Sequence, residues 1–586
     1  MDLPVNTDSE NQNNPSTSSQ VLPGEKSVSG AHAMVHMLQG HGVKHIFGLC
    51  GDTTLPFYDA MLEIDHGITH VLTRDERSAG YMADAYARVT GRVGVCEGPS
   101  GGGATYILPA LIEANESAYA ILAITTDVSV SSYGKYPLTQ VDQDRLMQPL
   151  TKWNCVIPQA GLIPRMVREA FRAMTTGRPG SAHIGLPYDV QHDPVPNEEL
   201  WADKRFGTFP ALPSGPRQED IEAAIEAILS AKRPLIVCGG GVVIAGAEAE
   251  LARLAERLNI PVATSVSGQG CLASTHENCV GVVGSNGGTP QTWSMMENAD
   301  LIVFMGCRAG STTTARWTAP LPGTRIVHID SDPMVMGAIY KTEVPVVSDL
   351  KLALAAMNAC LDADCSLIGD FDARAQIAEL KVEKFAGFFQ RARTLDLPIR
   401  PERVIADVME ILPEDAILVS DPGTTCPYIG AYYEQQNSGR HIITPRAHGA
   451  LGYSLSAALG AWFGRPDQKI VAFMGDGSFG FTVGELETVT RCRAPITFIV
   501  MSNSNFGWIK ASQFEDHDKR YYNVDFNRTD HAAVASAYGV KSWRVERPQD
   551  FAPALREAVR HDGPTLIDVI CQPLEESAAP VSRWMG

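Results

Sequence analysis

The chain has 586 residues, 44% of them hydrophobic and 20% charged, with a formal net charge of −19. That is the composition of a globular protein with large buried cores, enough at ordinary domain sizes for three or four units. The acidic balance argues against nucleic acid and anionic membrane as partners, and no apolar run approaches the ~18 residues of a membrane span. The 12 cysteines are scattered without a Cys-x-x-Cys pair and read as reduced thiols of a cytoplasmic protein.

Residues 1–25, "MDLPVNTDSENQNNPSTSSQVLPGE", are rich in Ser, Asn and Pro, with no basic start or apolar core. They are expected to form a disordered tail and not a signal peptide. From 26 to 190 helix-spaced and strand-like runs alternate. "GAHAMVHMLQGHG" has helical spacing, "KHIFGLCG" is a short buried strand with a Gly turn, and "ERSAGYMADAYARVTG" is a helix stopped by Gly91. "VGVCEGPSGGGATYILPALIEA" then reads as strand, glycine loop, helix. Residues 191–213 are a polar, Pro-rich linker. A second α/β unit, 214–365, carries "LIVCGGGVVIAG", "LIVFMGCRAGS" and "RIVHIDSDP". The charged stretch 366–395 is a linker helix. A third unit, 396–575, repeats the rhythm of the first, and 576–586 form a C-terminal tail. The predicted fold is therefore α/β, with three doubly wound parallel-sheet domains. In such sheets ligands sit beyond the carboxyl ends of the strands, which is where the Gly-rich turns fall.

One of these turns carries the sharpest signal. In "KIVAFMGDGSF" Asp476 follows a strand between Gly475 and Gly477, and Ser478 begins the next helix, whose free amides attract a phosphate. Asn503 ends the following strand, 27 positions on. A carboxylate, an amide oxygen and a nearby carbonyl form a hard-oxygen set suited to Mg²⁺ shared with a phosphate. By contrast, His32 and His36 in "HAMVH" have i, i+4 metal spacing but no Glu beside the first His, and they lie off the apolar face of their helix. They are not read as a zinc site.

The "GDGSF…NSN" stretch resembles the thiamine diphosphate (ThDP) binding motif, and residues 26–575 resemble the acetolactate synthase-like family of 2-oxo-acid carboligases and decarboxylases. The resemblance implies a pyrimidine-binding domain (26–190), a central domain (214–365) and a diphosphate-binding domain (396–575). It implies ThDP and Mg²⁺ as cofactors, with Asp476 and Asn503 binding the metal by side chain and Asn505 by its main-chain carbonyl. Gly477 and Ser478 would contact the diphosphate, and Thr424 and Thr425 of "DPGTT" would add further cofactor contacts. In "RAHGALG", Leu451 would prop the cofactor into its bent shape, and Gly449 would be a further cofactor contact. Glu76 matches the family's catalytic glutamate, the acid–base group for the aminopyrimidine. Asp75 replaces the usual preceding His, and Arg74 and Arg77 beside it read as surface charges. Some relatives bind FAD or ADP in the central domain; "GGGVV" and "GCRAGSTTT" leave that site open.

The implied function is a ThDP- and Mg²⁺-dependent enzyme that makes or breaks a C–C bond beside a carbonyl, an acetolactate synthase-like carboligase. The alternatives are a 2-oxo-acid decarboxylase or acyloin lyase and, from a different class, a non-catalytic regulatory subunit. Ser512 stands where anabolic acetolactate synthases carry a Trp, with Trp508 displaced earlier, which points away from acetolactate as product. Pocket candidates are Gly51, Asp52, Gln140, Trp508 and Ser512. The expected partners are a small carbonyl substrate and a second copy of the chain, in a homodimer or homotetramer.

Overall fold

Runs such as "ILAITTD" (Ile121–Asp127), buried at every position, cannot lie on a one-sided sheet and so become central strands covered on both faces. The structure is a computed structural model; it describes residues 26–363, 371, 373–577 and 579–581. The tail expected over 1–25 lies outside these residues, as do 366–370 and 372 of the expected linker helix and 578 and 582–586 of the expected C-terminal tail.

β1 (Ser27–Ser29) pairs antiparallel with β8 (Pro194–Pro196), which closes the first unit with residues expected in the linker. Between them run β2 (His45–Gly48), β3 (Thr69–Leu72), β4 (Gly94–Gly98), β5 (Ile121–Asp127), β6 (Trp153–Val156) and β7 (Ala182–Pro187). They form a parallel sheet in the order β3-β2-β4-β5-β7-β6. The second sheet is β11-β10-β9-β12-β13-β14, from β9 (Pro234–Cys238), β10 (Val262–Thr264), β11 (Cys279–Val282), β12 (Leu301–Met305), β13 (Arg325–Asp330) and β14 (Val344–Val347). The third is β16-β15-β17-β18-β20-β19, from β15 (Ile417–Ser420), β16 (Ile442–Ile443), β17 (Ile470–Gly475), β18 (Thr497–Ser502), β19 (Lys541–Val545) and β20 (Thr565–Ile570). All three are six-stranded, parallel and helix-flanked, as the alternating pattern predicts.

The first and third units share one apolar core. Its seam is the helix Glu76–Thr90 packed on the helix Tyr453–Gly464. A Cβ on Gly460 would stand 2.0 Å from Met82 O, so glycine is what lets the two helices approach. The helix Ala373–Ala392 ties the central unit to the third, with Lys384 Nζ donating to Ala431 O at 3.1 Å.

Each sheet has an internal strand-order reversal: between β2 and β4, between β9 and β12, and between β15 and β17. At such a reversal the two following loops part and leave a crevice beyond the strand ends. These three crevices hold the residues of interest.

Candidate functional site

The crevice of the third sheet lies between the loops after β15 and β17. The helix Asp476–Thr482 begins at Asp476, two residues before the expected start. Asp476 is buried. Its Oδ2 accepts from the backbone N–H of Asn503 at 3.0 Å and of Ser504 at 2.6 Å, which ties the end of β17 to the end of β18. Burial nevertheless holds its carboxyl above the ordinary aspartate value, the direction a neighbouring cation would reverse. Asn505 donates through Nδ2 to Asn503 O at 3.0 Å. Asn503 Nδ2 and Asn505 Oδ1 are buried without a hydrogen-bond partner among the described residues. Both lie 3.3 Å from where a Gly507 Cβ would stand, with Thr424 Oγ1 at 3.1 Å. Thr424, Asn503 and Asn505 thus come together around a small polar space that glycine leaves open, and Asp476 is tied to it through the Asn503 N–H. Among the described residues no cluster of three or more His, Cys, Asp or Glu side chains is placed to hold a metal, so a cation would fall to this mixed Asp/Asn set.

The other expected residues of this unit divide. A Cβ on Gly477 would meet the Phe506 ring at 2.9 Å, so the backbone there is closely covered. The Ser478 hydroxyl is held inside the domain: it donates to Asp421 Oδ2 at 2.6 Å and accepts from Gly452 N at 2.7 Å. The Thr425 hydroxyl likewise faces inward, to Ser420 Oγ and Asp421 O. Any contact of Ser478 or Thr425 with a ligand is therefore left to the backbone. Asp421, which the sequence reading passed over, also accepts from Tyr453 N, Ser454 N and Ser454 Oγ, and burial pushes its carboxyl up to about 6. An acid directly after the apolar run "AILVS" was the signal for it. Asp421 and Ser478 together set the turn that presents Leu451, which is half-buried, while Gly449 (φ 74°) and Gly452 (φ 80°) shape the loop. Trp508 packs against the apolar core of the third unit, and Ser512 Oγ donates to Trp508 O.

Glu76 opens the helix that follows β3. Asp75 caps that helix, accepting from Arg77 N at 2.8 Å and Ser78 N at 3.4 Å. This explains a short acid where a His was expected. Glu76 is 6% exposed under the glycine loop after β4: a Cβ on Gly98 would lie 3.1 Å from its Cγ, and one on Gly103 3.2 Å from its Oε1. Burial raises its carboxyl above the ordinary glutamate value, with Asp75 and Glu97 adding to the effect. Arg77 is not a plain surface charge. It donates to Phe481 O at 3.1 Å, joining the first unit to the third, and Arg74 N donates to Glu485 Oε1 at 2.8 Å. These two residues sit at the seam because the helix they open is the one that packs on Tyr453–Gly464.

Gly51 and Asp52 follow β2 on the other side of the same crevice. A Cβ on Gly51 would meet Pro99 at 2.5 Å, and Asp52 is exposed. Thr53 Oγ1 bonds to Thr126 Oγ1 at 2.7 Å and to Ser100 Oγ at 3.2 Å, and Ser100 Oγ to Thr139 Oγ1 at 2.7 Å. This chain of hydroxyls draws the exposed loop of Gln140 toward the strand ends.

The central crevice is a cavity of about 450 Å³, lined by Gly239–Gly241, Ser265–Ser267, Gly306–Arg308 and Asp330–Asp332, with Glu116–Ala118 and Arg446 from the other units. Gly239 and Gly306 are in backbone contact, since a Cβ on Gly239 would stand 2.2 Å from Gly306 O. Burial pushes Asp330 up to about 6.

Comparison with known proteins follows the same three-part division. Residues 28–146 match the N-terminal TPP binding domain of the thiamine pyrophosphate enzymes, 221–357 their central domain, and 421–569 their C-terminal TPP binding domain. The chain is 33% identical over 570 residues to a probable acetolactate synthase large subunit of Methanococcus aeolicus, covering 93% of this chain and 92% of the relative. It is 30% identical over 554 residues to the acetolactate synthase large subunit of Lactococcus lactis, covering 93% of each. It is also 30% identical over 564 residues to the glyoxylate carboligase of Escherichia coli O157:H7, covering 92% of each. With its three sheets matched in order and the likeness running through nearly the whole chain, this protein belongs to the family of thiamine pyrophosphate enzymes.

Proposed function

We propose that the chain is a ThDP- and Mg²⁺-dependent carboligase that joins a short 2-oxo acid, with loss of CO₂, to a second carbonyl compound. The observation that carries the proposal is the polar space over Gly507. It brings the unpartnered Asn505 amide oxygen, the unpartnered Asn503 amide nitrogen and the Thr424 hydroxyl together at the strand-order reversal of the third sheet, with the buried Asp476 carboxylate tied to them through the Asn503 N–H. With the Asn503 amide turned so that its oxygen, which here accepts from Asn505 N, faces the space, the set would fit a hard cation, and the first-turn amides of the helix at Asp476 would suit a diphosphate. Asp476, Asn503 and Asn505 would hold the metal, Thr424 and Gly477 would line the diphosphate, and Leu451 with Gly449 would support the ring system. When bound, ThDP supplies the nucleophilic carbon and accepts the electron pair released on decarboxylation. Glu76, whose carboxyl is shielded by Gly98 and Gly103 and raised in proton affinity by burial, would exchange a proton with the cofactor's pyrimidine edge as the acid–base group. Gly51, Asp52 and Gln140 border the space left for substrate.

Carboligation is preferred over plain decarboxylation because the relatives named by activity are synthases and a carboligase. The central cavity has the size of a small-ligand site. With a glycine turn after its first strand and Asp330 at the end of β13, it suits an adenine nucleotide such as ADP or the ADP half of FAD. The test is a panel of short 2-oxo acids, glyoxylate among them, given to purified protein with ThDP and Mg²⁺. CO₂ and coupled 2-hydroxycarbonyl products are followed together. CO₂ accompanied only by free aldehyde would reassign the protein as a decarboxylase. Asp476→Ala should lose tight ThDP binding by calorimetry, and retention of wild-type affinity would remove the metal assignment.

A further inference from the structure

The loop Arg446–Gly452 carries Gly449 and Leu451, and residues 447–449 are exposed. An exposed loop with two positive-φ glycines has little of its own to hold one shape. Its second end is pinned inside its own unit, by Gly452 N on Ser478 Oγ and Tyr453 N on Asp421 Oδ1. The first end is held from elsewhere. Glu113, on the helix Leu108–Ser117 of the first unit, accepts from His448 N at 2.7 Å and Ala447 N at 3.2 Å, both on Oε2.

Glu113 is 1% exposed. Its Oε1 accepts from Arg88 Nη2 at 3.1 Å and Ser117 Oγ at 2.7 Å. Arg88 Nε donates to Asp84 Oδ2 at 2.7 Å, and the same oxygen accepts from Tyr453 OH at 2.5 Å. Tyr453 is the residue at which the loop becomes helix. The contacts therefore close on themselves: Glu113 grips one end of the loop, Asp84 the other, and Arg88 joins the two acids. Every side chain in this ring is buried, where charge-assisted hydrogen bonds are strongest and least screened.

We propose that Glu113 is a positioning residue: through this ring the first unit holds the loop of Gly449 and Leu451 in the shape that receives ThDP. The inference rests on the reading of that loop as a cofactor contact. It assigns to the first unit a second task besides carrying Glu76, performed within one chain.

Glu113→Gln tests it with little change of volume. The single oxygen left is claimed by Arg88, so the amide nitrogen turns its own hydrogens toward the N–H groups of Ala447 and His448. In cofactor-free protein, hydrogen–deuterium exchange of peptides spanning 444–452 should rise, with the third-sheet strands unchanged. ThDP in excess Mg²⁺ should bind about 10- to 100-fold more weakly, the scale of losing hydrogen bonds to a charged group. Unchanged exchange across 444–452 overturns the clasp. Raised exchange with wild-type ThDP affinity overturns its role toward the cofactor. Leu451→Ala, measured beside it, separates the two levels: wild-type ThDP affinity in that variant locates the failure in the reading of the loop. Should Glu113→Gln not fold, Ser117→Ala, which removes only one of the bonds orienting Glu113, must give the same exchange change in smaller measure, and unchanged exchange there again overturns the clasp.

Discussion

Glu76 and Asp421 are both buried carboxyls held above their ordinary pKa values by desolvation, but only Asp421 is surrounded by donors. Glu76 lies under Gly98 and Gly103 at the open end of the first sheet, so its proton can be exchanged with a ligand. Glu76→Gln keeps the shape and removes the titration. ThDP affinity by calorimetry should stay within a few-fold, while turnover falls by about 10²–10⁴. Turnover near wild type would leave the acid–base group to be found elsewhere. Asp421 titrates toward the interior. Its folded value, about 6, exceeds the ordinary 3.8, so the folded protein binds this proton more tightly than the unfolded chain. The stability that results is fully present below about pH 4 and is lost as pH rises through about 6. Asp421→Asn removes that proton. The stability of the cofactor-free protein relative to the variant, by urea denaturation, should therefore decline between about pH 4 and pH 7, by on the order of 3 kcal/mol. A difference that stays flat over this range would show that the four donors outweigh burial.

At the scale of elements, the loop before the helix Tyr453–Gly464 separates two kinds of glycine constraint. Gly449 and Gly452 both have positive φ, but nothing lies within 4 Å of a Cβ on Gly449, whereas one on Gly452 would stand 2.7 Å from Phe481 Cβ. Gly449→Ala should carry backbone strain alone, about 1 kcal/mol, and Gly452→Ala strain plus displacement of the helix bearing Phe481, about 3 kcal/mol. Denaturation curves that put the two variants at equal cost would show that the Phe481 contact yields freely. These local demands are what a sequence displays: apolar runs ending in Gly-rich turns, an Asp between glycines, an acid opening a helix. Strand ends, the Asp476–Asn503 pairing and the place of Glu76 were legible for that reason. Arg77 on Phe481, Asp421 on Ser478 and Glu113 on His448 join residues tens to hundreds of positions apart. The sequence carries no period or spacing that marks such pairs, so Glu113 was not singled out and Arg77 read as surface charge. Thr425 and Ser478 show the complementary case. Their motif positions were legible, but not the inward turn of their hydroxyls, which depends on where Asp421 stands.

At the scale of the molecule, half of the proposed site lies at the open end of the first sheet and half at the open end of the third. Each end carries large apolar side chains in water: Tyr136 and Leu138 are 97% and 87% exposed near the first, and Phe481, Phe506, Ile509 and Tyr522 are exposed around the third. Apolar groups gathered at functional rims are the mark of a surface that another protein covers. A second copy related by two-fold symmetry would bring each first-sheet end against a third-sheet end and close two equal sites. We therefore expect a dimer, alone or paired into a tetramer, in which Glu76 of one chain serves the metal set of its partner. The Glu113 clasp then acts along one chain while catalysis runs between two. Light scattering tests the assembly, and an active monomer would reject it. Mixing tests the sharing. Glu76→Gln and Asp476→Ala proteins should each have little activity alone. After subunits exchange, half of the dimers are mixed, and each mixed dimer contains one site with both defects and one site with neither. Activity should return to about a quarter of wild type. If each site were built within one chain, every site in a mixed dimer would retain a defect, and proven exchange would bring no activity back.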